Sequence, residues 1–115
     1  MKKSDKKLDN QIRQTLTELC ESRLEQIEGF EWLTHVVNFN RFPESLRVVC
    51  VFCDDESLTK AKQSGTTDKI QTQITQTFAK LKVTLNKPTK QIIFDTETRC
   101  QAQYGGNWAK RLQSL

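Results

Sequence analysis

One histidine in 115 residues, with no second Cys or His pair to join Cys50 and Cys53, leaves this chain short of the ligands for a tetrahedral metal site. It also has no Gly-rich phosphate loop, no Gly-x-Ser-x-Gly elbow and no His-Glu-x-x-His, so the motifs of nucleotide hydrolysis, serine-hydrolase chemistry and zinc proteolysis are missing. No apolar run approaches the roughly 18 residues of a membrane span. The Lys-rich start has no apolar segment behind it to act as a signal peptide. The expectation is a cytoplasmic, non-enzymatic protein with no cofactor, no metal and no membrane contact.

Acidic residues are scarce in the second half. Residues 1–57 carry 8 Lys/Arg against 11 Asp/Glu, and residues 58–115 carry 10 against 3, so the halves stand at −3 and +7 within a net charge of +4. Between Asp68 and Asp95 there is no acid at all. Such segregation points to a polyanion or an acidic protein as partner.

The apolar residues, although only 36% of the chain, fall into periodic clusters. Leu8, Ile12, Leu16, Leu19, Cys20, Arg23 or Leu24, and Ile27 recur at steps of three and four, which predicts an amphipathic helix from about 5 to 28 with Gly29 as its stop. Its charges oppose the helix dipole, lysines first and glutamates last, so residues 1–7 are expected to form a basic mobile tail. Phe30 to Phe39 alternates as a strand, with Trp32, Thr34 and Val36 on one face and Leu33, His35, Val37 and Phe39 on the other. After a turn at 40–45, the run from Leu46 to Cys53 predicts a central strand buried on both sides.

Asp54, Asp55 and Glu56 suit a helix N-terminus, and their divergence at a helix start argues against a divalent-cation site. A helix to about Gln63 is expected, then a break at Ser64-Gly65-Thr66-Thr67 and a second helix carrying Ile70, Ile74, Phe78 and Leu81. Residues 82–85 could add an extended piece before Asn86-Lys87-Pro88 turns the chain into a third strand, Gln91 to Phe94. Thr96 can cap a helix to Tyr104, Gly105-Gly106 ends it, and Asn107 can cap a last short helix, Trp108 to Leu112.

The fold expected is a single α+β domain in two layers, order α-β-β-α-α-β-α. A mainly antiparallel sheet of about three strands packs against helices on one face. Residues 8–95 form its core and 96–115 its C-terminal helices.

The candidate binding surface is a nucleic-acid site on the second of the paired helices and its flanks. Lys69, Gln73, Gln76 and Lys80 make a polar stripe at steps of four, three and four, flanked by Lys60, Lys62, Lys82, Lys87 and Lys90. Threonines on the same helix are further candidate donors to phosphate. Cys50 and Cys53 share the Cys-x-x-Cys spacing, but in a strand they read as small buried hydrophobes. His35 reads as a structural histidine and Trp32 as core. Trp108 either seals the core or docks a protein partner, with sealing expected; an exposed strand edge is the other candidate protein-binding surface.

Two resemblances follow. The element order, carried by Phe30 to Phe39, the Pro43/Leu46 turn, Asp54-Asp55-Glu56 and Ile92-Ile93-Phe94-Asp95, is similar to type II KH domains and to the ribosome-binding factor A family over about residues 8–95. That resemblance implies RNA binding and ribosome association. KH domains clamp nucleic acid with a Gly-x-x-Gly loop, whereas Ser64-Gly65-Thr66-Thr67 carries one glycine. The chain also resembles a family of small bacterial proteins through Leu8-Asp9-Asn10-Gln11, Phe30 to His35 and Gly105-Gly106-Asn107-Trp108. Some of that family are labelled Fis-type transcription regulators, but Fis proteins are all-helical, and this C-terminus offers a strand and two short helices in place of a helix-turn-helix. The leading expectation is RNA or another nucleic acid bound by the basic helix face; the alternative is a protein-interaction or homo-oligomerising module.

Overall fold

A computed structural model describes residues 2–115; Met1, first residue of the expected tail, lies outside the described residues. Helix α1 spans Lys3–Ser22 and buries Ile12, Leu16 and Leu19. It begins earlier than the charge argument suggests, so Lys3, Lys6 and Lys7 belong to its first turns; Asp5 supplies a favourable acid there. It also ends earlier. No basic residue steadies its last turn, and a 3-10 turn, Leu24–Gln26, carries the apolar stripe on to the fully buried Leu24.

Gly29 then turns the chain at φ +81. A Cβ there would lie 2.4 Å from that of Ser57, so glycine is required by space as well as by conformation. Its carbonyl accepts the Cys53 N–H at 2.8 Å, tying the turn to the far end of the second strand.

Strand β1, Phe30–Val36, pairs antiparallel with β2, Arg47–Phe52. The register slips between Phe30 and Trp32, which makes Glu31 a bulge. Without the slip, Phe30 and Trp32 would share a face. With it, Phe30 turns into the core against Phe52, edge-on at 5.7 Å, while Trp32 stays on the opposite face with Val51. Strand β2 is central and buried on both sides, as its unbroken apolar run predicts: Val48, Val49, Cys50, Val51 and Phe52 are at most 1% exposed.

Asp54 caps α2, Asp55–Gln63, by accepting the Ser57 N–H at 2.7 Å. That bond holds the Asp54 carboxyl below its usual range. Gly65 separates α2 from α3, Thr66–Lys80, whose Ile70, Ile74 and Phe78 complete the core stripe. Residues 83–85 form no strand; Val83 and Leu85 are buried in the core all the same. A one-turn helix α4, Pro88–Gln91, leads into β3, Ile92–Thr96.

The α+β class and the element order are as expected. The sheet is mixed, because β3 returns to β2 through a helical crossover and therefore lies parallel to it. Helices α1 to α3 cover one face, where Leu33, Val48, Cys50, Phe52 and Ile92 point. The last two helices, α5 (Glu97–Tyr104) and α6 (Trp108–Gln113), are capped by Thr96 and Asn107 as predicted. Helix α6 reaches the opposite face, so helices flank the sheet on both sides: Trp108 meets Trp32, and Arg111 meets Asp95.

Candidate nucleic-acid interface

Helix α3 exposes Lys69, Gln76 and Lys80 and half-exposes Gln73, so the polar stripe exists. At 1.5 Å per residue its two lysines stand roughly 16 Å apart. The threonines drop out as phosphate donors: the hydroxyls of Thr72, Thr75 and Thr77 donate to the carbonyls of Asp68, Gln71 and Gln73 at 2.7–3.0 Å. Lys60 drops out as well. Its ammonium pairs with Glu56 at 3.3 Å, and it lines a hollow shared with Glu28, where acid and base are interleaved. Lys62 and Lys69 are exposed and have no ion-pair partner among the described residues.

Lys80 and Lys82 stand at the other end of α3. Its C-terminus closes with Val83 N–H donating to Phe78 O and Lys82 N–H to Ala79 O, both at 3.0 Å. This is the double-bonded cap whose first residue past the helix is usually glycine. Here that residue is Lys82, at φ +62, the one non-glycine at positive φ among the described residues. A side chain there costs about 1 kcal/mol or more relative to glycine. By contrast, α5 ends at Gly105, at φ +61.

From Lys82 the chain passes to Lys87 and Lys90, which line a hollow of about 300 Å3 together with Arg47, Glu44, Thr84 and Asn86. Arg47 opens β2 and donates to the carbonyls of Glu44 and Leu46 at 2.7 and 3.1 Å. Glu44 is the one carboxylate on the rim, against three cations. The floor is fixed by Gln91, only 4% exposed. Its amide donates to Pro43 O at 2.9 Å and Leu46 O at 3.3 Å and accepts the Lys87 N–H at 3.0 Å, joining the loop before β2 to α4. Gln91→Leu should therefore lower folding stability by about 1–3 kcal/mol, because the shape is kept while three backbone groups lose a partner. Urea unfolding would show this as a lower midpoint at unchanged slope.

The remaining candidates have structural roles. His35 Nε2 lies 2.7 Å from Asp9 Oδ1, pinning α1 to β1, and its side chain is 7% exposed. Trp32 and Trp108 pack edge-on at 4.9 Å, and both indoles donate to Glu97 Oε1, at 2.8 and 3.0 Å. Trp108 is thus the seal of the second face, and its indole N–H is already committed inside the molecule. Arg111 donates to both oxygens of Asp95, at 2.5 and 3.0 Å; this contact holds the guanidinium above its ordinary pKa.

All four cysteines are free thiols. Cys50 is fully buried in β2, while Cys53 lies beyond the strand with Sγ 3.5 Å from Ser57 Oγ. Among the described residues no cluster of three or more His, Cys, Asp or Glu is placed to hold a metal ion. Burial pushes the Cys50 thiol up to about 12. The thiolate is the reactive form and appears only as pH approaches that value. Iodoacetamide at neutral or mildly alkaline pH should therefore leave Cys50 unmodified in the folded protein and label it on unfolding, as peptide mass mapping would record.

Of the nine residues singled out in the sequence, Lys87 and Lys90 share the hollow, Lys80 and Lys82 stand at the C-terminal end of α3, Gln73 and Gln76 lie along that helix, Lys62 ends α2 and Lys69 opens α3 away from the hollow, and Lys60 is paired with Glu56. Arg47 and Gln91 complete the hollow with Lys87 and Lys90 and escape sequence reasoning: Arg47 stands 40 residues before Lys87 in the chain, and Gln91 reads as the first residue of a strand. A glutamine directly before Ile92-Ile93-Phe94 is the one available hint, since a polar residue there needs internal partners. No helix among the described residues is long and apolar enough to cross a membrane. Comparison of the chain with family models, curated proteins and solved structures finds no match in any of the three.

Proposed function

We propose that this protein is a non-enzymatic nucleic-acid-binding protein that grips the phosphate backbone of RNA with Lys80, Lys82, Lys87, Lys90 and Arg47. The observation that carries this reading is Lys82. The chain keeps a long cationic side chain at a helix end where glycine would relieve strain, and backbone strain retained at a site is a signature of use. None of the four lysines is in an ion pair among the described residues, and Glu44 is the one carboxylate lining the hollow, so phosphate contact would release counterions without breaking ion pairs.

The likeness of element order to type II KH domains and to ribosome-binding factor A favours RNA as the ligand. Since the break before α3 carries one glycine, the proposed contacts lie at the opposite end of that helix. The expected cytoplasmic address and ribosome association belong to the same proposal.

The test is a titration of fluorescently labelled single-stranded RNA, with duplex DNA alongside, across a series of salt concentrations. The reading requires binding at low salt that weakens linearly in log–log form as salt rises. No binding at low salt would end it. Binding unchanged on neutralising Lys82, Lys87 and Lys90 would move the ligand elsewhere on the molecule.

A further inference from the structure

We propose that the free edge of β1 is a self-association surface, on which two copies of the chain pair their β1 strands antiparallel about a twofold axis to form a continuous six-stranded sheet. This inference goes beyond the nucleic-acid reading and does not depend on it.

Strand β1 is paired on one side only. Among the described residues, the backbone of 31–37 makes no hydrogen bond beyond those to β2, so half of its N–H and C=O groups point outward without partners. Edge strands that stay unpaired are usually blunted by lysine or proline. Phe30-Glu31-Trp32-Leu33-Thr34-His35-Val36 has neither, and its bulge sits at the end, leaving 32–36 regular.

Beside this edge runs a groove of about 290 Å3 of mixed character, in which Leu16, Cys20, Trp32 and Leu33 alternate with polar side chains and Arg13 faces the acids Glu21 and Glu25 among its lining. A row of unpaired backbone groups beside a groove with apolar and charged side chains is a geometry that accepts an added strand, the backbone giving affinity and the side chains selecting the occupant.

The charges on α1 specify the occupant. Arg13, Thr17 and Glu21 follow one another at steps of four on its exposed side, a cation, a neutral residue and an anion in line. Helix α1 runs opposite to β1: Asp9 touches His35, while Leu24 follows α1 toward Phe30. Antiparallel pairing of two β1 strands therefore lays two α1 helices side by side, also antiparallel. With the twofold near Thr17, Arg13 of each copy faces Glu21 of the other. A twofold contact must be self-complementary in this way. The Arg13 side chain is 65% exposed while it holds Asp9 at 3.0 Å, so it is accessible to a second carboxylate.

Sedimentation equilibrium of the full chain should give twice the 13.4 kDa chain mass. Arg13→Glu and Glu21→Arg should each be monomeric alone, since each places like charges face to face. Their equimolar mixture should restore the dimer, because the two changes complement each other. Circular dichroism would verify that both variants remain folded. A wild-type monomer, variants that stay dimeric, or a mixture that stays monomeric would each overturn the proposal. Protection of the β1 amides only on adding a Lys-rich extended peptide would assign the edge to a foreign strand and overturn it equally.

Discussion

Replacing Trp108 with alanine is expected to lower folding stability by about 3 kcal/mol, although the residue stands only seven positions before Leu115. Three losses combine. The edge-on packing against Trp32 disappears, Glu97 keeps one indole donor in place of two, and the apolar anchor that holds α6 across the sheet is gone. Helix α6 also carries Arg111, the partner of Asp95, so its detachment would leave a carboxylate that is 7% exposed without its cation. For a chain of this length, about 4 °C of melting temperature per kcal/mol gives a fall of about 12 °C. Thermal unfolding followed by circular dichroism would measure it. A Trp108→Ala protein that melts within a degree or two of wild type would mean that α6 does not seal the sheet.

The second large effect concerns binding. Lys82, Lys87 and Lys90 replaced together by alanine should weaken single-stranded RNA binding at low salt by about a hundredfold and make the log–log salt dependence shallower by about 2. Lys60→Ala should change neither, because that ammonium is already neutralised by Glu56. Among single changes at these three positions the most informative is Lys82→Gly. It should raise folding stability by about 1 kcal/mol while weakening binding, since it relieves the left-handed backbone and removes a phosphate contact. Stability and affinity moving in opposite directions is an outcome that a purely structural lysine would not produce. Fluorescence anisotropy and urea unfolding on the same preparations would read both.

Elements were legible in the sequence where one periodicity or one cap decides them. The buried stripe of α1, the alternation of Trp32, Thr34 and Val36 against Leu33 and His35, and the caps Asp54, Thr96 and Asn107 are local signals, and each appears in the structure. What was not legible is what distance in sequence conceals. The slip at Glu31 sends Phe30 to the face that simple alternation denies it. The parallel placement of β3 depends on the crossover, and the arrival of α6 on the open face depends on Trp32, Asp95, Trp108 and Arg111 meeting from separate segments. The same holds for the binding surface. Lysine spacing predicted the stripe on α3 but carried no information that Glu56 neutralises Lys60, that threonine hydroxyls turn back on their own helix, or that Arg47 joins Lys87 and Lys90.

The parallel pairing of β2 with β3 also governs how the chain is made. Val48 meets Ile92, so a nascent polypeptide leaving the ribosome presents the hairpin of β1 and β2 with the far side of its middle strand unoccupied until both long crossover helices have been translated. Val49 and Val51 wait longer still, since the helix that reaches their face is translated after all three strands. Premature termination after residue 104 would thus release a species with a bare apolar surface, prone to clump and attractive to chaperones.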